Sequence, residues 1–359
     1  MGKREELEKL RNQIDEIDEK ILSLLNKRAE LVIKVGEIKK VSNLPISDPA
    51  RERKILKKIL EKNKGPLKEK HIRGIFQEIF SASLDIQRPL TIAYLGPEAT
   101  FTHEAARKRF GWGAEYIPLP SIEEVFREVE REKAVYGVVP VENSTEGVET
   151  HTLDMFIESE LRVCDEIILR IIHHFLSFSP LSSIKRVYSH PQALAQCRGW
   201  LKKNLPQAEV IEVYSTASAV EKAKEDKEGG AIASELASEV YGVPIQASGI
   251  EDKAFNLTRF LVLGKEEWEK TGKDKTSIMF ALKDEVGALF HALAPFWEFK
   301  VNLCKIESRP SKRRPWEYYF FVDLEGHKED ENVKKALEKL KERTTLLKIL
   351  GSYPRREEE

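Results

Sequence analysis

Residues 7–39 read LEKLRNQIDEIDEKILSLLNKRAELVIKVGEIK, and Leu7, Leu10, Ile14, Ile17, Ile21 and Leu24, then Leu31, Val35 and Ile38, recur at spacings of three and four. That is the period of one long amphipathic helix with a coiled-coil stripe. A stripe of this length cannot bury itself, so it needs a partner helix or a second chain. Asp48-Pro49 reads as an N-cap with proline at the first helical position. Ile55, Leu56, Ile59 and Leu60 form the face of a second helix ending near Gly65-Pro66, and Ile72, Ile75, Phe76, Ile79 and Phe80 mark a third. Residues 1–88 hold only two aromatics and carry 21 basic against 15 acidic side chains. They read as an all-α domain.

At Arg88-Pro89 the pattern changes. Short strands are expected at 91–95, 134–140, 186–189, 210–214 and 230–233, with helical stretches between several of them. This makes 90–266 an α/β domain. Residues 265–274, charged and glycine-containing, read as a linker. Beyond it come a strand (277–282), a helix (286–297), two strands (301–307 and 318–324), a helix (331–342) and a strand (346–350). That βαββαβ order is ferredoxin-like, so 275–352 is an α+β domain, and the tail at 354–359 reads as frayed.

The chain has 359 residues and a net charge of −1, which fits three domains and excludes a protein built to grip nucleic acid or an anionic bilayer. No run approaches 18 apolar residues; the best stretch, 167–176, is broken by Arg170, His173 and His174, so no membrane span is expected. No secretory signal is visible, and Cys164, Cys197 and Cys304 stand apart without metal spacing. The expectation is a cytoplasmic protein with reduced thiols, no metal and no cofactor. His173-His174 reads as part of a strand, one ring in and one out.

In the first domain the apolar stripe should continue at position 28, and position 28 is Arg. Lys39, eleven residues on, lies at about 20° on the helical wheel and shares that face, while Arg11 lies about 100° away. Ser83 and Gln87 extend the apolar face of the third helix, and Asp48, Arg51 and Glu52 are neighbours on the second. Spacing alone leaves two readings open: solvated charges at a bundle edge, or a cavity of cations that closes on a small dianion.

Arg11, Arg28, Lys39, Asp48, Arg51, Glu52, Ser83 and Gln87, with the string RERKIL after the cap, resemble the all-helical chorismate mutases across the whole first domain. The resemblance implies rearrangement of chorismate to prephenate without nucleophile or metal. It also implies carboxylates held by Arg28 and by Arg11 of the other subunit, Lys39 and Gln87 on the ether oxygen, and Glu52 with the Asp48 region at the ring hydroxyl.

In the central domain, GPEATFTHEAA (96–106), PVENSTEGVETHTLDMF (140–156), YSHPQALAQC (188–197) and NLTRF (256–260) each suit loop and capping chemistry. No GxSxG or GxxxxGK[ST] is present, which sets aside a serine hydrolase and a P-loop enzyme. Together the four stretches resemble the prephenate dehydratases from about 92 to 263. The resemblance implies a two-lobed fold and loss of water and CO2 from prephenate to give phenylpyruvate. It implies Glu142, Asn143, Ser189, Gln196, Thr258 and Arg259 as site residues. Thr258 is then the candidate donor to the departing hydroxyl, Glu142 the candidate proton source, and Arg259 the partner of a carboxylate or holder of the loop.

Gly287-Ala288-Leu289 and the segment Glu307, Ser308, Arg309, Pro310 resemble the ACT regulatory domain, which implies L-phenylalanine bound at a subunit interface. Lys300 departs from that family's usual glycine. The whole chain thus resembles the family that fuses chorismate mutase to prephenate dehydratase. Chorismate and prephenate are its expected substrates, L-phenylalanine its inhibitor, and a homodimer or larger its assembly. The rival readings are a two-lobed sensor of aromatic acids and a dehydratase whose helical domain serves only for assembly.

Overall fold

The computed structural model describes residues 2–42, 47–145, 147–253, 255–311 and 317–356. Three helices open the chain: α1 (Gly2–Val41), α2 (Pro49–Lys62) and α3 (Glu69–Gln87). α2 starts where the sequence caps it, with Asp48 Oδ1 accepting from the Arg51 backbone N–H at 2.8 Å. α1 and α3 meet closely at Gly36, where a Cβ would lie 2.8 Å from Gln87 Cγ. Toward its N-terminus α1 has no such cover: Leu10 and Ile14 are 53% and 55% exposed.

The first α/β lobe contains β1 (Thr91–Leu95), α4 (Phe101–Phe110), β2 (Glu115–Leu119), α5 (Ile122–Glu130), β3 (Tyr136–Asn143), β4 (Gly147–Val148), α6 (Thr150–Glu158) and β5 (Arg162–Arg170). The chain crosses to a second lobe through β6 (His174–Leu176), β7 (Arg186–Ser189), α7 (Pro191–Gln196), α8 (Arg198–Asn204), β8 (Glu209–Glu212), α9 (Thr216–Glu225), β9 (Gly229–Ala233), α10 (Glu235–Tyr241) and β10 (Ile245–Ser248). It returns to the first lobe as β11 (Leu257–Gly264). The sheets run β2-β1-β3-β11-β5, with β4 on β3, and β10-β6-β9-β7-β8. Because β11 inserts antiparallel between β3 and β5, Thr258 pairs with Asn143 and Arg259 with Glu142 across the ladder. The second crossing therefore delivers 256–259 to the mouth between the lobes.

The last domain consists of β12 (Asp274–Ala281), α11 (Ala288–Glu298), β13 (Leu303–Pro310), β14 (Tyr318–Glu325), α12 (Glu331–Lys341) and β15 (Leu346–Pro354), with antiparallel order β13-β14-β12-β15. One face packs on α11 and α12 through Ile278, Phe280, Val322, Phe296 and Leu337. The other shares a core with the first lobe, where Met279, Phe321, Leu350 and Tyr353 meet Val139, Val141, Val163 and Leu261. Burying both faces of a sheet removes alternation, which is why all eight residues of β12 are buried. At Gly351 a Cβ would lie 2.1 Å from the Val163 carbonyl oxygen, so β15 approaches β5 as only glycine permits.

Four expectations change. The strand at 210–214 is shifted to Glu209–Glu212. The linker at 265–273 is mostly exposed but anchored, with buried Trp268 donating Nε1–H to Cys164 O at 2.7 Å. The tail is ordered through 356, because β15 runs to Pro354 and Arg356 clasps Asp165 at 2.5 and 3.0 Å; residues 357–359 lie outside the described residues. His173 and His174 are both buried, at 2% and 8% exposure, because His173 precedes β6 at the lobe junction instead of alternating within a strand.

Candidate active sites and the regulatory edge

Arg28 interrupts the stripe of α1 because its guanidinium donates to Ser83 Oγ on α3. Gln87, one turn further, donates Nε2–H to Ser83 O at 2.8 Å, and its buried Oε1 has no partner among the described residues. Lys39 is half-buried, further along α1. Partial burial lowers the pKa of Arg28, a desolvation penalty that a bound anion would relieve. The structure thus gathers Arg28, Ser83 and Gln87 on one α1–α3 seam.

The remaining residues of the helical set lie elsewhere. Arg11 is exposed and paired with Glu8 at 2.9 Å. Seventeen residues of helix put it about 25 Å from Arg28, so one chain cannot bring them together. Arg51 is exposed, and Asp48 caps α2. Glu52 does not face the seam: it points to the first lobe, 3.9 Å from Arg109 Nη2, and burial raises its pKa against the pull of Arg109 and Arg356. Its neighbour Arg53 donates to Thr271 Oγ1 at 3.0 Å and to Arg355 O at 3.2 Å. Glu52, expected at a ring hydroxyl, lies on the side of α2 that docks on the first lobe.

Between the lobes a polar network closes on itself. Asn143 Nδ2 donates to Thr258 Oγ1 and to Asn256 Oδ1, both at 2.8 Å. Asn143 Oδ1 accepts from Thr145 N at 2.9 Å and from its hydroxyl at 2.6 Å. Gln196 Oε1 accepts from Asn256 Nδ2 at 2.8 Å and faces His173 Nε2 at 2.8 Å, while Gln196 Nε2 donates to Thr145 Oγ1 at 3.3 Å. An amide oxygen only accepts, so His173 carries its proton on Nε2, and burial lowers its pKa to keep the ring neutral. Thr258 Oγ accepts from Asn143, which leaves its O–H to donate outward.

Three expected residues stand outside this network. Ser189 is fully buried and donates its hydroxyl to Ile232 O at 2.7 Å, tying β7 to β9. Glu142 faces the last domain, 2.8 Å from Lys305 Nζ. Arg259 does so too, reaching Glu166 at 2.8 Å, Asp323 at 2.5 Å and the Tyr353 hydroxyl at 2.9 Å. Side chains alternate along strands, so placing Asn143 and Thr258 in the cleft sends Glu142 and Arg259 to the opposite face. Glu142, expected as the proton source, thus lies against Lys305, and Arg259 lies against carboxylates of the protein itself. Sequence reasoning missed Thr145, Asn256 and His173 as cleft residues; the first two lie inside the quoted motifs, and only the tandem histidine signalled the third.

At the C-terminal edge, Gly287 takes a left-handed φ of 83° to cap α11, followed by Ala288 and Leu289. Lys300 adopts φ 55°, so the turn keeps the conformation that a glycine would supply. Glu307, Ser308, Arg309 and Pro310 end β13, the free edge of the sheet, and Arg309 forks onto Asp154 of α6 with both contacts at 3.0 Å.

Comparison with known proteins fits this layout. Residues 10–88 match the family model of chorismate mutase type II, 92–268 that of prephenate dehydratase, and 276–342 that of the ACT domain. The chain is 54% identical to the bifunctional chorismate mutase/prephenate dehydratase of Aquifex aeolicus over 98% of each protein. It is 43% identical to that of Stutzerimonas stutzeri over 99% of each. The solved prephenate dehydratase of Arthrobacter aurescens, in complex with L-Phe, aligns with a TM-score of 0.70 at 34% identity over 74% of this chain and 90% of that one. Fold and sites define a multidomain enzyme, an isomerase fused to a lyase and followed by a regulatory-type domain. The chain belongs to the family of bifunctional chorismate mutase/prephenate dehydratases.

Proposed function

We propose that the α1–α3 seam holds chorismate, with Arg28 on a carboxylate, Lys39 and Gln87 toward the ether oxygen, and Arg11 supplied by a second copy of the chain. The enzyme makes phenylpyruvate for L-phenylalanine biosynthesis in two steps, chorismate to prephenate and prephenate to phenylpyruvate. The first is a unimolecular rearrangement, so the protein's part is to hold the compact conformer and oppose charge on the breaking ether bond. A half-exposed apolar stripe on α1 supports a homodimer or larger assembly.

In the interlobe cleft Thr258 donates its O–H to the departing hydroxyl while Asn143 fixes the threonine. Aromatisation drives loss of hydroxide and CO2, so orientation suffices and no strong acid is needed. The observation that carries this reading is the 2.8 Å bond from Asn143 Nδ2 to Thr258 Oγ1, which commits the threonine oxygen as acceptor and frees its proton. L-Phe binds at the C-terminal domain near Gly287–Leu289 and Glu307–Pro310, across a subunit interface, and inhibits the second step. The enzyme works in the cytoplasm; among the described residues no helix is long and apolar enough to cross a membrane.

The test is purified protein supplied with chorismate alone, following chorismate loss and phenylpyruvate appearance with and without L-Phe. Phenylpyruvate that L-Phe suppresses is the expected result. Accumulating prephenate would reassign the cleft as a sensor; untouched chorismate with added prephenate still consumed would leave the helices as an assembly arm.

A further inference from the structure

β13 has two working faces. Alternate residues Lys305 and Arg309 point into the first lobe, while Ile306 and Ser308 point away from it. Lys305 Nζ holds Glu142 at 2.8 Å, and Arg309 forks onto Asp154. Lys305 and Arg309 are mostly buried, with 13% and 19% of their side chains exposed. Glu142 precedes Asn143 on β3, and Asn143 is the residue that fixes Thr258 at 2.8 Å. One ion pair and one peptide link therefore separate a lysine of the regulatory domain from the cleft network.

β13 is also an edge strand, paired among the described residues with β14 alone, so fewer backbone bonds hold it than hold the two central strands. We propose that Lys305 is a positioning residue of the dehydratase: its ion pair with Glu142 holds the end of β3 so that Asn143 orients Thr258. Arg309 with Asp154 is the second point of the same latch. Resting on the reading above that L-Phe binds beside the 307–310 segment, a ligand there displaces β13, weakens the latch and lowers turnover in the cleft. The lysine is held largely out of water while Glu142 keeps 38% of its side chain exposed, so the pair acts through the position it gives the end of β3 and not through the strength of a desolvated contact.

The test uses the full chain, with its mutase turnover as an internal control of folding. Lys305→Met should mimic the inhibited state. Prephenate kcat falls about tenfold with KM little changed, the residual activity no longer responds to L-Phe, and L-Phe binding measured by calorimetry persists. Lys305→Arg should restore both rate and response, and Asp154→Asn should weaken the response in the same direction. Wild-type kcat and L-Phe response in Lys305→Met would overturn the proposal. A lowered kcat that L-Phe still inhibits as in the wild type would overturn the coupling. If the wild-type protein binds no L-Phe, the reading of the regulatory domain fails first, before any variant is compared.

Discussion

Thr258 and Arg259 are neighbours on β11 whose side chains serve different domains. Thr258 meets Asn143 in the interlobe cleft at 2.8 Å, and Arg259 reaches across to Asp323 of the regulatory domain at 2.5 Å. A strand puts consecutive side chains on opposite faces, so substitutions at the two positions should fail in different ways.

Thr258→Ala should cost the dehydratase about a hundredfold or more in kcat, the scale for removing one oriented donor, while mutase turnover in the same chain stays intact. Thr258→Ser keeps the O–H and should keep most of the rate. Parallel loss of both activities would point to misfolding instead of lost chemistry.

Arg259→Met leaves Glu166 and Asp323 buried beside a missing cation. Burial alone would raise the Asp323 carboxyl, but Arg259 and Ser277 hold it below the usual carboxylate range. Breaking such a group on one side costs about 3–5 kcal/mol, so thermal unfolding should move sharply downward. An unchanged melting temperature would mean the network carries little of the interface.

Arg11→Ala and Lys39→Ala should each abolish mutase turnover while leaving helical circular dichroism unchanged. If Arg11 serves the site of a second copy, co-refolding the two inactive variants should recover about a quarter of wild-type activity, because half the dimers are mixed and each has one intact site. No recovery would overturn the assignment of Arg11 to the site of a second copy.

Glu104 on α4 has a buried Oε2 without a partner among the described residues; burial, then Glu235, pushes its pKa up to about 7. A carboxyl raised in the fold adds stability below its ordinary value of 4.5 and loses it as pH rises through about 7. His103 on the same helix works the other way, since burial drives it down to about 4 and its contribution grows as pH rises toward 6.5. Near neutral pH the Glu104 loss runs against the gain from His103 and from His173 and His174, which burial also lowers, so the Glu104 share is read as a difference: stability should change more favourably from about pH 5 to 8 in Glu104→Gln than in the wild type. A slope identical in the variant would assign it to another group.

Lys300 holds a left-handed backbone at φ 55°. A side chain in that region costs about 1 kcal/mol, partly offset by the extra freedom glycine has when unfolded, so Lys300→Gly should stabilise by roughly 0.5 kcal/mol. Denaturant unfolding of the two proteins checks the sign.

Much of the molecule is legible in order along the chain. The spacing of Leu7 to Ile38 gives α1, Asp48-Pro49 gives the start of α2, and the βαββαβ pattern gives the last domain, because these signals are local and depend on 3.6- and 2-residue periods. The seam of Arg28, Ser83 and Gln87 follows too, since each replaces an apolar residue on a face already defined.

What the sequence by itself determined is that Glu142, Asn143, Thr258 and Arg259 belong to two short motifs, read there as loops; only the strands β3 and β11, which reach Asn143 and begin at Leu257, put Asn143 and Thr258 on one face and Glu142 and Arg259 on the other. Only the tertiary structure decided what covers each face. Both faces of β3 and β11 carry polar groups, so no hydropathy contrast marks the cleft side, and the cover on the far side comes from β13 and β14, more than forty residues downstream. The same limit applies to Glu52, whose partner Arg109 lies on another domain. Local periodicity orients a side chain relative to its own element; long-range packing alone decides whether it meets a substrate, a salt-bridge partner or a second domain.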